Sequence, residues 1–363
     1  MTRIAYFITP HGFGHAARSS AIMGAVSETV PLVSFDIFTT APEWFFEDSL
    51  SGQFEYHEFV TDIGLVQKTP FLHDLEKTIE ALDRFIPFDP ALISETAYFL
   101  KQRACHLVVC DISPIGILIA KEAGIPSILI ENFTWDWIYE DFIQADARIS
   151  RYVDFFRKIY QAADYHIQAS PVCNPQSVDM TTDPISRNVR LPSVGVREKL
   201  GIPQEKKIVL LTTGGVREKY RFLKNLTAEP EICFVIPGGS ESPEQHENLI
   251  LLPYRSGFNH VDLVNAADAV VGKAGYSTIA EVYQAGVPFG YVPRSNFRET
   301  DKLVAFIEKE MTGLCIGDEE FKAGKWLSKV SQLLSFPKTR RHHRNGSHQA
   351  ADLIRDILFP FKI

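Results

Sequence analysis

Short apolar runs alternate with segments of helical periodicity along the whole chain. In the first half, the runs at 4–9 and 107–110 are apolar at consecutive positions. This pattern is typical of strands whose two faces are both covered in a parallel sheet. Further strands are predicted at 32–39, 54–59, 127–130 and 165–168, and helices at 15–28, 74–85, 91–103, 114–123 and 134–162. The alternation predicts an α/β fold with a doubly wound parallel sheet.

A second alternation of the same type begins near residue 207. Its predicted strands are 208–212, 232–236, 249–252, 269–271 and 288–292, and its predicted helices are 217–225, 260–267, 276–285, 299–310 and 319–334. A turn-rich stretch from 171 to 203 separates the two alternations, and the last segment is amphipathic. We therefore predict two Rossmann-like domains, 1–190 and 191–349, and a C-terminal helix at 350–363 that can pack back on the first domain.

Composition excludes several classes of protein. The chain has 363 residues and a net charge of −8, with no strongly basic segment, which argues against a nucleic-acid partner. No apolar run reaches the ~18 residues of a transmembrane helix, and the chain enters a strand at once, without the pattern of a signal peptide. Five scattered cysteines favour a reduced, cytoplasmic protein. Peripheral contact with a membrane surface stays compatible with this composition.

The segment 272–286 carries the most specific chemistry. Its order is a strand end, a glycine turn with Lys273 and Gly275, and a helix for which Ser277 is a candidate cap. A helix start aims free backbone N–H groups and about half a positive charge at its ligand, and this favours a phosphate. Lys273 could neutralise that phosphate, or could be a solvated loop lysine. Glu281 lies four residues after Ser277, where it could reach a sugar diol.

A second glycine turn, Thr213-Gly214-Gly215, follows the predicted strand at 208–212. Two such turns at the ends of strands in one domain could grip a diphosphate from two sides. The alternative is that both are ordinary connections between a strand and a helix, which often contain glycine.

The first strand leads into a turn with His11, Gly12, Gly14 and His15. The pattern G-x-G-x-x-A is close to a dinucleotide fingerprint, but the acidic residue that such a site needs, Asp36, lies inside a predicted strand. Alternatively, either histidine could take a proton from a hydroxyl group at neutral pH. A third interpretation is that both histidines only make hydrogen bonds at the helix start.

Asp111 follows the predicted strand at 107–110, at the sheet edge where open α/β sheets bind ligands. It could orient a histidine, bind substrate or cap the helix that begins near Pro114. The sequence has no D-x-D pair, no phosphate loop of the G-x-x-x-x-G-K-[ST] type and no G-x-S-x-G elbow. No His/Cys cluster has the spacing of metal ligands, so neither a metal nor a resident cofactor is predicted.

The segment Lys273-Ala-Gly-Tyr-Ser-Thr-Ile-Ala-Glu281 resembles the donor signature of the UDP-glycosyltransferases and of the bacterial N-acetylglucosaminyl transferase that makes lipid II. The resemblance implies a GT-B fold, in which two Rossmann-like domains face each other across a cleft. It also implies that the second domain binds the diphosphate and ribose of the donor through Gly275, Tyr276, Ser277, Thr278 and Glu281. The loop from Gly12 to His15 resembles the N-terminal glycine loop of the family, whose histidine faces the acceptor.

Four further segments, 11–18, 62–67, 111–114 and 132–139, resemble the N-terminal, glycosyltransferase-like domain of plant L-arabinokinase. One segment departs from the family. Where the family carries Asp/Glu-Gln, this chain has Arg298-Glu-Thr-Asp301. Glu299 and Thr300 are therefore the donor-sugar candidates, without the glutamine that holds the sugar in the family. The donor sugar and turnover itself stay open.

The sequence predicts a metal-independent glycosyltransferase that uses a nucleotide-diphosphate sugar, a UDP- or TDP-sugar, with His15 as base, His11 second and Asp111 to orient it. The acceptor could be a small molecule, a glycan or a lipid-linked sugar. A sugar-nucleotide epimerase that uses Glu299 and Asp301, a non-catalytic sugar-nucleotide sensor and an NAD-dependent oxidoreductase are the alternatives.

Overall fold

The computed structural model describes residues 1–69, 72–214, 220–295, 297–339, 341 and 343–360. The chain forms two compact units. The first contains Met1–Ile185, a short segment that ends at Glu299, and the C-terminal helix. The second contains Ser186–Ser295 and Thr300–His343.

The first unit is built on a seven-stranded parallel sheet with the order β3-β2-β1-β6-β7-β8-β9. Its strands are β1 (Thr2–Ile8), β2 (Val33–Thr39), β3 (Gln53–Glu58), β6 (Leu107–Asp111), β7 (Ser127–Glu131), β8 (Tyr165–Ala169) and β9 (Met180–Thr182). A small antiparallel pair, β4 (Gln67–Thr69) and β5 (Leu72–His73), lies outside this sheet. Every residue of β2, β6 and β7 is buried, as expected for strands covered on both faces.

Helices follow most strands of this unit. They are α1 (Phe13–Thr29), α2 (Glu43–Ser49), α3 (Leu75–Phe85), α4 (Pro90–Gln102), α5 (Pro114–Ala123), α6 (Trp135–Glu140) and α7 (Ser150–Tyr160). Local signals explain the bounds of α5, because Ser113 caps its start, Pro114 is its first residue and Gly124 ends it with a φ of 66°.

The second unit repeats this architecture. Its sheet has the order β12-β13-β11-β10-β14-β15-β16 and is parallel except for the pair β12 and β13. Its strands are β10 (Lys207–Thr212), β11 (Ile232–Pro237), β12 (Glu244–His246), β13 (Leu249–Leu252), β14 (Ala269–Lys273), β15 (Phe289–Val292) and β16 (Gly313–Cys315). Its helices are α8 (Ser193–Leu200), α9 (Leu223–Leu226), α10 (His260–Ala266), α11 (Tyr276–Ala285), α12 (Glu299–Glu310), α13 (Asp318–Lys322) and α14 (Val330–Ser335). Glu299, the first residue of α12, belongs to the first unit.

The C-terminal helix α15 (Gly346–Leu358) belongs to the first unit and packs against α1. Ala350, Ala351 and Ile354 form its buried face. Its start is held by Gln349, whose side chain accepts a hydrogen bond from the backbone N–H of Asp183 at 2.7 Å.

Two long predicted helices are wrong because local signals interrupt them. The predicted helix at 134–162 is divided into α6, a 3₁₀ turn at Ala147–Ile149 and α7. The break begins after Glu140, where α6 ends, and Asp146 starts the next turn, because its side chain accepts a hydrogen bond from Arg148 N. The helix predicted at 319–334 is divided after α13 by Gly324, with a φ of 71°, and by a 3₁₀ turn at Lys325–Lys329. The helix predicted at 217–225 lies partly outside the described residues, and within the described part α9 begins only at Leu223.

Candidate functional site

The turn after β1 leads directly into α1. Gly12 is the residue before the helix and has a φ of 79°, a left-handed conformation that favours glycine. Gly14 and His15 lie in the first turn of α1. The His15 residue is 9% exposed and follows the carboxyl end of β1, which pairs with β6.

The strand order of the first sheet reverses between β1 and β6, the place where open α/β sheets bind ligands. His15 follows β1, and Asp111 is the last residue of β6. His15 Nδ1 lies 2.7 Å from Asp111 Oδ1. Two bare acceptors would repel each other at this distance, so we assign the hydrogen of the neutral ring to Nδ1. The lone pair of Nε2 can then accept a proton.

Arg18 holds the same carboxylate from one helical turn further along α1. Its Nε donates to Asp111 Oδ2 at 2.8 Å and its Nη2 to Oδ1 at 2.6 Å. Ser19 Oγ also donates to Oδ2, at 3.1 Å, so each oxygen of Asp111 accepts two hydrogen bonds. Burial alone would raise the pKa of Asp111, but the charge of Arg18 and the hydrogen bonds from Arg18 and His15 outweigh it and lower the pKa to about 2. Asp111 is therefore an ionised, fully bonded carboxylate, and α5 is capped by Ser113 instead.

A chain of hydrogen bonds continues from Arg18 to Glu299. Arg18 Nη1 donates to Asn132 Oδ1 at 2.6 Å, and Asn132 Nδ2 donates to Glu299 Oε1 at 2.8 Å. Arg18 and Asn132 are fully buried, and Glu299, the first residue of α12, is nearly so. The first unit thus links Glu299 to the pair of His15 and Asp111. Thr300, the other donor-sugar candidate, is also buried.

His11 has different surroundings from His15. Its ring packs edge-on against Trp135, with 5.3 Å between the ring centroids, and its Nε2 lies 3.3 Å from the side-chain amide nitrogen of Gln67. A Cβ atom at Gly64 would come within 2.7 Å of His11 Nδ1. The structure therefore packs His11 among neighbouring side chains, whereas it places His15 on Asp111.

The second sheet reverses its order between β10 and β14, and the two predicted glycine turns follow these two strands. Gly272 of β14 allows the strands to approach closely, because a Cβ atom there would lie 1.9 Å from the Thr212 carbonyl oxygen of β10. After β10, Gly214 has a φ of 73°, and its N–H donates to Thr212 Oγ1 at 3.3 Å. Thr213 is buried beside them. Gly215 lies outside the described residues.

The turn after β14 ends at Gly275, which precedes α11 and provides no side-chain cap. The prediction that Ser277 caps this helix is wrong, because α11 begins at Tyr276 and Ser277 is its second residue. The reason is that Gly275 already has the extended conformation of a cap residue. The first amides of a helix have no partner within the helix, so this start keeps its capacity to bind an anion. Lys273 is half-buried at the end of β14, and Tyr276 and Thr278 are buried.

Glu281 is buried in α11 between two basic side chains. Arg187 donates to Oε1 through Nε at 3.1 Å and through Nη2 at 3.0 Å. His260 Nδ1 lies 2.5 Å from Oε2, and its Nε2 lies 3.0 Å from Thr212 Oγ1. Burial alone would raise the pKa of Glu281, but the charges of Arg187 and His260 lower it to about 2.

Sequence reasoning identified both carboxylates and the partner His15, but not the other basic residues that hold them, Arg18, Arg187 and His260. The signal for Arg18 was its spacing, three residues after His15 on one helix face. No such signal was available for Arg187, which is separated from Glu281 by 94 positions along the chain.

Asp36, Glu55 and His57 form a group of potential metal ligands, whose ligand atoms lie within 4.8 Å of one another. Arg3 and Arg103 both bind Asp36, at 3.1 Å. These guanidinium groups already neutralise the carboxylate, so the group is explained as a cluster of ion pairs. Asp36 lies inside β2, as the sequence predicted.

Comparison with known proteins supports the predicted resemblance. Residues 235–357 match the model of the glycosyltransferase family 28 C-terminal domain. L-arabinokinase of Arabidopsis thaliana is 27% identical over 97% of this chain, but the chain spans only 34% of that protein. The lipid-II N-acetylglucosamine transferase of Rickettsia africae, a UDP-N-acetylglucosamine enzyme by name, is 34% identical over 25% of this chain and 27% of its own length.

The structure of the kitacinnamycin glycotransferase has the same fold, with a TM-score of 0.67 at 16% identity and 98% of each chain covered. Among the described residues, no helix combines the length and apolarity needed to cross a membrane. Residues 235–357 are thus similar to the glycosyltransferase family 28 C-terminal domain, and the chain has the predicted α/β fold of the GT-B glycosyltransferases.

Proposed function

We propose that the protein transfers a sugar from a nucleotide-diphosphate donor to a hydroxyl group of an acceptor. The observation that supports this most is the pair formed by His15 and Asp111 at the switch point of the first sheet. The second unit supports it with two glycine turns at the corresponding point of its own sheet. The lipid-II transferase, by its name, uses a UDP-sugar, and a UDP- or TDP-sugar is the donor that we propose here.

In this proposal His15 is the general base. Its Nε2 takes the proton of the acceptor hydroxyl, while Asp111 accepts the hydrogen bond from Nδ1 and keeps the ring in the required tautomer. The acceptor oxygen forms a bond to the anomeric carbon, and the bond from that carbon to the diphosphate breaks. Arg18 and Ser19 hold Asp111 but do not touch the substrate.

The leaving diphosphate needs stabilisation of its negative charge. We assign this role to the amides at the start of α11, at Gly275, to the half-buried Lys273, and to the turn at Thr213 and Gly214. Because the sequence has no D-x-D pair, these groups would act without a bridging metal. Glu299, linked to Asn132, and Thr300 are the proposed contacts to the donor sugar.

The test is to incubate the protein with a panel of UDP- and TDP-sugars and to measure both the released nucleotide diphosphate and any isomerised donor. We expect slow release of nucleotide, and a His15→Ala variant that releases it ~100-fold more slowly, the usual effect of removing a general base. The matched control is His246→Ala, whose side chain is exposed on β12 and which should match the wild type.

An isomerised donor without released nucleotide would support the epimerase instead. Stabilisation of the protein by a sugar nucleotide with no turnover would support a sensor. A response to a nicotinamide cofactor in place of sugar nucleotides would support the oxidoreductase.

A further inference from the structure

The segment that leads into α12 belongs to the first unit and packs on the residues that follow β7. The Phe297 ring lies edge-on to the Phe133 ring, with 6.2 Å between the ring centroids. The guanidinium group of Arg298 lies over the Trp137 ring, 4.2 Å from its centroid, and donates a hydrogen bond to Glu140 Oε2 at 2.8 Å. The next residue, the first of α12, therefore has a backbone position that the first unit fixes.

The side chain of that residue, Glu299, is held by one partner. Asn132 Nδ2 donates to Glu299 Oε1 at 2.8 Å. In the part of the chain that the structure describes, Glu299 accepts no other hydrogen bond and forms no ion pair, although the residue is only 8% exposed. Its other oxygen, Oε2, keeps its capacity to accept. A nearly buried carboxylate is stabilised by each further hydrogen bond, so a hydroxyl group that donates to Oε2 suits this position.

The amide of Asn132 fits between its two neighbours because it combines one acceptor with one donor. Its Oδ1 accepts a hydrogen bond from Arg18 Nη1 at 2.6 Å, and its Nδ2 donates to Glu299. A guanidinium group can only donate and an ionised carboxylate can only accept, so these neighbours determine which end of the amide faces which. An alanine at this position would remove both bonds, and an aspartate would face Glu299 with a second carboxylate.

Asn132 can act on a ligand only through Glu299. The residue is fully buried, so it does not reach a ligand itself. The four hydrogen bonds that Asp111 accepts, including the one from His15, do not involve Asn132. Removal of this amide therefore leaves the base and its carboxylate bonded and acts on the contact made by Glu299.

We propose that Asn132 is a positioning residue for the donor sugar. It holds Glu299 so that Oε2 accepts a hydrogen bond from a hydroxyl group of that sugar. The ligand recognised here is therefore a sugar that offers a hydroxyl group, attached to the nucleotide. This inference rests on the proposed function, since it concerns the donor of that reaction.

The first test measures binding by calorimetry. The probes are free UDP or TDP and the sugar nucleotide of the same base that the wild type binds most tightly. We expect Asn132→Ala to bind the sugar nucleotide ~10-fold or more weakly, the effect of losing a hydrogen bond to a charged group. The free nucleotide should bind within about twofold of the wild type, because it lacks the sugar. Equal weakening of both ligands, or no weakening of either, would overturn the proposal.

The matched control is Asn345→Ala. Asn345 is another buried asparagine of the first unit, and its Oδ1 accepts a hydrogen bond from Ser347 N at the start of α15. Its removal should lower the urea midpoint, as the loss of a helix cap does, but should leave the ratio of the two dissociation constants unchanged. A changed ratio in this control would show that a general loss of stability, not the position of Glu299, lowers the affinity for the sugar.

The second test exchanges donor and acceptor, and it also decides the matter if Asn132→Ala does not fold. Asn132→Asp alone places two carboxylates together and should weaken binding of the sugar nucleotide by ~10-fold or more. Asn132→Asp combined with Glu299→Gln keeps the net charge and rebuilds both bonds, because the new carboxylate accepts from Arg18 and from the new amide. We expect this double variant to bind within about threefold of the wild type. A double variant as weak as Asn132→Asp would refute the role of this bond.

The two proposals can fail separately. If sugar nucleotides turn over but Asn132→Ala keeps the wild-type ratio of dissociation constants, only the positioning role of Asn132 is refuted. If no sugar nucleotide binds to the wild type, the proposed function and this inference are both refuted.

Discussion

Asp62 is a carboxyl group of the first unit that the proposed chemistry does not use. The residue is 4% exposed, and burial raises its pKa to about 7, although hydrogen bonds from Thr9 and Thr61 oppose the shift and the charge of Asp111 adds to it. We therefore predict that Asp62→Asn makes the protein more stable at neutral and mildly alkaline pH, because it removes a charge that the fold does not accommodate.

The hydrogen bonds around Asp62 favour a neutral acid independently. Thr61 Oγ1 lies 3.1 Å from the Ile8 carbonyl oxygen and 3.0 Å from Asp62 Oδ2, yet it has only one hydrogen to donate. A protonated Asp62 satisfies both contacts, because its O–H donates to Thr61 and Thr61 donates to Ile8. Thr9 Oγ1 then donates to the remaining oxygen, Oδ1, at 2.8 Å. An asparagine amide can make the same set of bonds.

The size of the effect follows from the pKa shift. The folded pKa lies above the unfolded value of 3.8, so stability is fully present below that value and is lost as pH rises to about 7. The whole shift corresponds to about 4 kcal/mol, of which about 3 kcal/mol is lost between about pH 5 and about pH 8. The Asp62→Asn variant avoids this loss, because its amide carries no charge at either pH.

The assay is urea unfolding followed by tryptophan fluorescence, at about pH 5 and about pH 8. The signal reports mainly on the first unit, which contains Trp44, Trp135 and Trp137 of the four tryptophans. The exposed Asp154 of α7 provides the control variant Asp154→Asn. We expect Asp62→Asn to gain about 3 kcal/mol relative to the wild type as the pH is raised across this range. A gain within about 0.5 kcal/mol of the control, the range of surface substitutions, would refute the reasoning.

The other predictions concern two glycines of the second unit and one carboxylate of the first. Gly275→Ala should keep the fold, because its Cβ would lie 3.4 Å from the nearest atom outside its chain neighbours, but should weaken UDP binding by calorimetry, since the methyl group projects from the helix start. Gly272→Ala should lower the urea midpoint strongly, because its Cβ would overlap the Thr212 carbonyl; an unchanged midpoint contradicts the strand geometry. Asp111→Asn should cost about 3–5 kcal/mol at neutral pH, because it leaves Arg18 buried without its ion-pair partner. Since the folded pKa of Asp111 is depressed to about 2, this difference should shrink only as the pH falls from about 4 towards about 2, and a loss nearer neutrality would contradict that pKa.

The regular elements could be predicted where the pattern was long. The eleven predicted strands all correspond to observed ones. Most of them are buried parallel strands, which read as continuous apolar runs. The strands that were not predicted, β4, β5, β9, β12 and β16, have only two or three residues each, too few to show a period. The short segment that ends at Glu299 belongs to the first unit, although it lies along the chain between two segments of the second unit. No change of composition marks the places where the chain passes from one unit to the other.

The individual residues of the candidate site could be predicted from the sequence, but most of the contacts between them could not. The glycine turns and the helix after β14 follow from local patterns, and so do His15 and Asp111 as residues at strand ends. The start of α11 shows the limit, because Gly275 and Ser277 both have suitable chemistry for a cap and backbone conformation decides between them.

Strand order explains why the partners of these residues were harder to predict. His15 and Asp111 are 96 positions apart, and they meet because β6, not β2 alone, pairs with β1. Thr212 and Gly272 meet for the same reason, through the pairing of β10 with β14. A sequence shows which residues end its strands, but it does not show which strands are neighbours.

The same argument bears on how a likeness to a family should be used. The segment from Lys273 to Glu281 is local, so its match to a donor signature carries over the helix start and the position of Glu281. It does not carry over what surrounds Glu281, because Arg187 comes from a distant part of the chain. A carboxylate can contact a ribose directly only where its neighbours leave an oxygen accessible. For this chain the surroundings of Glu281 are therefore read from the structure, where Arg187 binds Oε1 and His260 binds Oε2.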